Sequence, residues 1–463
     1  MPLELQAAPR LSDFRLTLRL ALPLIMAEVG WMSMGVVDTI MVGRLPDSAI
    51  AIGATGLGQS LYHIFAIVGG GLLLGMDTFV AQAYGREDLH DARNTLLNGL
   101  VLAIVLTPIV MLAVASWPTL MQRFGISPEL VGPMRPFLMA LNWGTLPLLG
   151  YFALRRYLQA VNVAVPIMFA LISANIVNAF GDWVLIYGHL GFRPQGITGS
   201  GWSTCIARIY MLLVLVIALV WVERKRVASS SSLAERHVPL RIDLTKIWAL
   251  LKLGSPAAAQ ILVEVGAFSG STALCAKLGP VPLSGHEIAL NCAAFTFMVP
   301  FGISSAAAVR VGQQIGRRDP AGASRAGWSA IALGIAFMAC AGLVFASIPK
   351  VIARAFSPDP AVVHLGARLL LVAAAFQLFD GIQVVTTGAL RGAGDTKTPM
   401  FANIIAYWFI GIPLGSVLCF YLGWGAFGIW VGLCIGLMIV GAVLLSAWRN
   451  RKFAELRQFQ AAD

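Results

Sequence analysis

Charge is what this chain has least of. Only 12% of its 463 residues are Asp, Glu, Lys or Arg, half of the ~25% in an ordinary soluble domain, while 58% are hydrophobic and the mean hydropathy is +0.79. A chain so poor in charge cannot cover itself with a hydrated surface, which excludes a soluble globular protein and implies an all-α polytopic membrane protein. The six cysteines, Cys205, Cys275, Cys292, Cys340, Cys419 and Cys434, stand in apolar runs without CxxC spacing. They read as small core hydrophobes, not as disulfides or metal ligands. The six histidines form no HExxH, and the run from Gly69 to Gly75 lacks a Walker lysine and a Rossmann pattern. Neither metalloprotease nor nucleotide chemistry fits. With no nucleophile and base visible, neither an enzyme nor a cofactor is expected. No cleavable signal is expected at the start of this sequence, because the first apolar run is too long and no small-residue cleavage site follows it.

What is present is a series of twelve apolar runs beginning near residues 16, 49, 93, 132, 163, 197, 245, 283, 325, 361, 398 and 425, each able to supply the ~20 residues that cross a hydrocarbon core. The net charge of +11 would suit nucleic acid, but the cations fall in the short segments between runs. The amino terminus, the loops after even-numbered runs and the carboxyl tail hold 24 of the 33 Lys and Arg residues, and the opposite loops hold 7. By the positive-inside rule both termini are cytoplasmic. The expected partner is the lipid bilayer, with no nucleic acid, and a monomer is expected.

The chain is a duplication. A shift of 233 positions brings Leu22-Pro23 to Ser255-Pro256, Leu57 to Leu290 and Pro166 to Pro399, and with a two-residue slip Gly85-Arg86 falls on Gly316-Arg317. Six spans per repeat is an even number, so the repeats are parallel, one of the two symmetric plans of secondary transporters. The expected boundaries are an N-lobe at 1–222, a flexible cytoplasmic linker at 223–244 and a C-lobe with its tail at 245–463. Pro23, Pro256, Pro300 and the Gly69-Gly70-Gly71 run are expected to let their helices bend.

Carboxylates inside apolar spans are expensive and mark function by default. The first span, Thr17 to Arg44, carries Glu28 and Asp38. In the fifth, Asn175, Asn178 and Asp182 are spaced by three and four and share one face. Asp38, Asp182 and Thr204 come out at one depth, where their oxygens suit a hard cation or a shared proton. Glu264 is near the middle of the seventh span, and Asp380 in the tenth shares a face with Gln377, Gln383 and Thr387. Glu287 in the eighth is expected in a first turn, complementing the helix dipole. Only Arg208 and Arg368 are read as bases within spans, so the interior is expected to be acidic and to attract cations. Trp31, Phe65, Phe268 and Phe297 are candidate aromatic contacts by position.

The segments AEVGWMSMGVVDTIMVGR, FVAQAYGRED, MVPFGISSAAAVRVGQQIG and FDGIQVVTTGALRGAGDTKTPM resemble multidrug and toxic compound extrusion (MATE) antiporters of the NorM-type bacterial branch, and the similarity covers nearly the whole chain. The resemblance implies two six-helix lobes forming a V around a central cavity, exchanging Na+ or H+ for organic cations by alternating access. It implies cation-coupling roles for Asp38, Asn178, Asp182, Thr204, Glu264 and Asp380, with Na+ held either by the first four or by the last two. Glu28, Trp31, Asn175, Phe65, Phe268, Glu287, Phe297, Gln377 and Gln383 are the expected substrate-cavity residues. Glutamine would be expected at Glu28 and Glu287, and Arg208 is a further departure, close enough to Thr204 on its helix face that it could pair with Asp182 or Asp38. A lipid-linked sugar flippase on the same fold is the alternative, disfavoured by the acidic reading of the cavity.

Overall fold

In a bilayer core no water is available to backbone groups, so an apolar run must satisfy them within itself and becomes a helix. A computed structural model of the chain describes residues 9–46, 48–123, 128–229 and 240–451. Among the described residues there is no strand, and twelve apolar spans follow one another. Of the flexible linker expected at 223–244, residues 223–229 continue the preceding helix and Leu244 opens the next one; its residues 230–239 and the tail beyond 451 lie outside the described residues.

The first span is α1 (Leu11–Val42), and the second is α2 (Ser48–Leu72) continued by α3 (Gly75–Gly85). The Gly69-Gly70-Gly71 run stays helical, and the break falls just after it at Leu73 and Leu74. Next come α4 (Leu89–Arg123) and a fourth span made of α5 (Pro128–Trp143) and α6 (Thr145–Ala160), bent by 44° at Gly144. The fifth and sixth are α7 (Val165–Tyr187) and α8 (Ile197–Ser229). The second repeat runs through α9 (Leu244–Ala276), α10 (Pro280–Gly316), α11 (Pro320–Ser347), the short α12 (Pro349–Phe356) and α13 (Pro360–Gly392). Its eleventh span starts as α14 (Lys397–Asn403), winds as a π-helix over Ile404–Gly411, returns to α15 (Ile412–Ser416) and winds as π again over Val417–Tyr421. The last is α16 (Ala426–Arg449).

The duplication extends to turn geometry. Glu87 and Arg318 occupy the same place in the Gly85-Arg86 and Gly316-Arg317 turns, and both have left-handed φ, 64° and 58°. Non-glycine residues rarely adopt that region, so the match reflects one inherited turn. Asp88 and Asp319 then cap the following helices by accepting from the backbone N–H of Asp91 and Gly322, each at 2.8 Å.

By packing, the chain divides into two compact units, residues 1–25 with 259–463, and residues 26–258. These are not the sequence halves, because the beginnings of α1 and α9 are exchanged. In the first unit Arg310 donates to the Asp13 carbonyl at 2.7 Å, to its carboxylate at 3.3 Å and to the Thr17 hydroxyl, which also meets Ser329 at 3.2 Å. In the second unit Asn98 donates to the Arg241 carbonyl at 3.1 Å and accepts from the Asp243 N–H at 2.8 Å, while Lys246 pairs with Asp91. The cuts fall two residues after Pro23 and Pro256, where a missing backbone donor weakens the helix.

In the first unit α13 crosses α10 through Gly388 and Gly392, one turn apart, in the small-residue manner of membrane helices. A β-carbon on Gly392 would stand 2.9 Å from the Ala308 Cα. Gly392→Val is therefore expected to lower the melting temperature in detergent, at an overpacking cost of about 1–3 kcal/mol. An unchanged melting curve would refute this crossing.

Candidate functional site

In the second unit α1, α7 and α8 bring four of the expected coupling residues together. Thr204 on α8 donates to Asp38 Oδ2 at 3.3 Å, and Asn178 on α7 exchanges hydrogen bonds with Ser203, its Nδ2 donating to the serine Oγ at 3.2 Å. The Asp182 carboxyl lies beside that of Asp38. Gln59 of α2, which sequence reasoning missed, donates to Asp38 Oδ2 at 3.2 Å. Asp38 Oδ1, both Asp182 carboxyl oxygens and Asn178 Oδ1 are buried with no hydrogen-bond partner among the described residues. Buried oxygens left without donors are costly, and two adjacent carboxyls cannot both stay charged without a cation or a proton.

Arg208 makes no ion pair with Asp38 or Asp182 among the described residues, although its charge still acts on Asp38 through space. Its Nη1 donates to the Leu141 carbonyl at 3.3 Å and its guanidinium sits 4.4 Å from the centre of the Tyr62 ring. Arg368 likewise lies over Phe427, at 5.4 Å.

The acidic reading of the interior needs a larger correction. Arg155 and Arg156, expected in a loop after the fourth span, lie inside α6 and are buried. Arg155 forms an ion pair with Glu28, and Arg156 one with Asp77 at 3.3 Å that Gln159 supports by donating to the same carboxylate at 2.7 Å. Glu28, expected in the substrate cavity, is thus a neutralised acid within its own unit. Removing one partner of a buried pair leaves an uncompensated charge, at about 3–5 kcal/mol. Arg155→Met should cut the yield of folded protein and its melting temperature, and adding Glu28→Gln to it should restore both. A single variant as stable as the parent would contradict the pairing.

Asn175 donates to the Gly30 carbonyl at 2.9 Å and to the Leu171 carbonyl at 2.8 Å, bridging α7 to α1. Trp31 packs against Phe152, ring centres 5.8 Å apart, and Phe65 stands edge-on to Trp117 at 5.7 Å against the apolar core of the unit.

In the first unit α9 and α13 present the second acidic pair. Gln383 on α13 reaches Glu264 Oε2 and Asn403 Oδ1, both at 3.5 Å, and Asp380 is buried one turn before Gln383. The expected polar face of α13 is real, with Gln377, Asp380, Gln383 and Thr387 all buried and Gln377 bonded to Thr296. No basic side chain pairs with Glu264 or Asp380 among the described residues. Sequence reasoning also missed Tyr407, whose hydroxyl is fully buried without a partner, and whose ring packs on Phe268 at 6.0 Å. Phe268 also meets Phe376 at 6.1 Å, while Phe297 stacks on Phe301 at 5.6 Å. Asn403 and Tyr407 sit where the eleventh span changes to π winding, a deviation frequent at functional sites.

Glu287 is corrected. α10 begins at Pro280, seven residues earlier, so this half-buried acid is beyond the first turn and the helix dipole does not account for it. Among the cysteines, four are buried as expected, but Cys292 is only partly covered and Cys340 is exposed on α11.

The MatE family model matches residues 23–184 and 256–417, two stretches offset by the 233 residues that relate the repeats. A probable multidrug resistance protein NorM of Mesorhizobium japonicum is 36% identical over 446 residues, covering 95% of this chain and 94% of that one. The multidrug resistance protein NorM of Burkholderia vietnamiensis is also 36% identical, over 452 residues, covering 96% and 95%. The fold is similar to the crystal structure of the eukaryotic MATE transporter AtDTX14, with a TM-score of 0.85 at 19% identity and coverage of 97% and 98%. It is equally similar to the outward-facing conformation of a multidrug resistance MATE family transporter of the MOP superfamily, with a TM-score of 0.85 at 18% identity and 98% of each chain. Two matches at the repeat spacing, and relatives alike over nearly their whole length, place this chain in the multidrug and toxic compound extrusion (MATE) family, among its NorM-type multidrug efflux transporters, as a membrane transporter and not an enzyme.

Proposed function

We propose that the chain exchanges Na+ or H+ for organic cationic, amphipathic drugs by alternating access. The observation that carries this reading is the group of four buried oxygens without donors, on Asp38, Asp182 and Asn178. An oxygen-only set with two carboxyls suits a hard cation, or a proton shared between the acids. Glu264 and Asp380 supply a second acidic pair with amide neighbours and no base. Antiport follows if the coupling cation favours one shape of the protein and the drug another, since a ligand shifts an equilibrium only by its differential affinity. Trp31, Phe65, Phe268 and Phe297 offer ring faces to cationic cargo.

Both termini are placed in the cytoplasm of a bacterial cell with an inner membrane, on the distribution of Lys and Arg, and the working unit is a monomer. Drug uptake into inverted vesicles, with Na+ and pH gradients imposed separately, tests the reading. One of the two gradients should drive uptake of a cationic dye. Uptake driven by neither, or a preference for anionic compounds, would overturn it.

A further inference from the structure

Between the spans α11 and α13 lies α12, Pro349–Phe356, too short at about 12 Å to cross a membrane. The two spans end and begin on the same membrane face, so α12 is held at the bilayer surface. Its sequence, PKVIARAF, is strongly two-sided. At 3.6 residues per turn, Ile348, just ahead of the helix, Val351, Ala355 and Phe356 share one side, while Lys350 and Arg354, four apart, share the other. Only Ala353 is buried, facing Gly366 of α13. Val351 is 63% exposed, Phe356 55% and Ile348 45%, values out of place on a surface that meets only water.

Both cations are exposed and neither has an ion-pair partner among the described residues. The helix dipole does not explain them together. Arg354 in the last turn complements it, but Lys350 lies in the first turn, where a cation is disfavoured. The nearest acid in sequence, Asp359, caps α13 by accepting from the Ala361 N–H at 2.8 Å. An exposed apolar side opposite an unpaired basic side is the pattern of a helix lying in the membrane interface, with long basic side chains reaching to the headgroups.

We propose that α12 docks this chain onto anionic phospholipid, its apolar side in the acyl boundary and Lys350 and Arg354 on headgroup phosphates. Each cation near an anionic surface contributes a factor of roughly five in binding, so the two together contribute roughly 25-fold. Because α12 leads directly into α13, the helix that carries Asp380, the lipid contact fixes the end of a coupling helix.

Spin labels on the full chain test the placement, in a Cys292→Ser/Cys340→Ser background reconstituted in phosphatidylglycerol-containing vesicles. A nitroxide on Val351→Cys, or on Phe356→Cys as a second site, should be more accessible to oxygen than to a water-soluble nickel chelate, and one on Lys350→Cys should show the reverse. Native mass spectrometry of Lys350→Gln/Arg354→Gln should show loss of retained phosphatidylglycerol, with phosphatidylethanolamine unchanged. Nickel access to Val351 and Phe356 equal to that at Lys350 would overturn the proposal. So would spin–spin broadening between two copies, or undiminished phosphatidylglycerol in the neutralised variant.

Discussion

Asp380→Asn is expected to abolish or strongly reduce cation-driven drug export while leaving the protein folded and in the membrane, and Glu264→Gln is expected to do the same. Neither carboxyl has a basic partner among the described residues, so removing its charge breaks no ion pair there, and the Gln383 amide that reaches Glu264 can also meet a glutamine in its place. What is lost is the difference between the protonated or cation-bound form and the bare form, which is the only lever a coupling ion has on the conformational equilibrium. Coupling free energies of 1–3 kcal/mol correspond to roughly 5–150-fold, so ion-driven export should fall by about that range while binding of a cationic dye weakens less. Counterflow and gradient-driven uptake in proteoliposomes at matched protein content measure the two separately. Full gradient-driven uptake by either variant would remove that residue from the coupling machinery.

Asp38→Asn should uncouple ion movement from drug movement far more severely than Glu28→Gln does. The two acids are ten residues apart on α1, about 15 Å along the axis and some 80° round it, so they cannot serve one small ion. Their surroundings differ in kind. Asp38 stands with Asp182 among oxygens that lack donors, whereas Glu28 is neutralised by Arg155. Glu28→Gln leaves Arg155 buried and unpaired, so its defect should appear as lost stability. Asp38→Asn relieves a charge that has hydrogen-bond donors but no ion-pair partner among the described residues and lies beside a second carboxyl, so its melting temperature should hold or rise while gradient-driven export fails. Equal loss of coupling in the two variants, with equal stability, would show that the switch is on the wrong carboxylate.

Much of the candidate site was legible because charge is so rare here. Asp38, Asp182, Glu264 and Asp380 stand out in apolar text, and spacings of three and four put Asn178 with Asp182, and Gln377 with Asp380 and Gln383, on common faces. The neutral partners were not legible. Gln59, Asn403 and Tyr407 carry no charge to mark them, and the π winding over Ile404–Gly411 breaks the 3.6-residue phase from which a face would be read. Arg155 and Arg156 were misplaced for a definite reason. They lie past the 44° bend at Gly144, in the second half of that span, so a count of apolar residues ends the membrane segment too early and puts the pair in a loop.

The sequence by itself determined the number of spans, their duplication at a 233-residue spacing and the identity of most of the intramembrane acids, Asp77 excepted. A bilayer tests each segment separately for length and polarity, so that information is local. Only the tertiary structure decided which acids are free. Glu28 and Asp182 look alike as text, but one meets a guanidinium from 127 residues away and the other meets a second carboxyl. It also decided that the beginnings of α1 and α9 belong to the opposite units, through Arg310 on Asp13 and Asn98 on Asp243. Such pairings join positions far apart in the chain, and no period in a single helix encodes which distant helix will supply the partner.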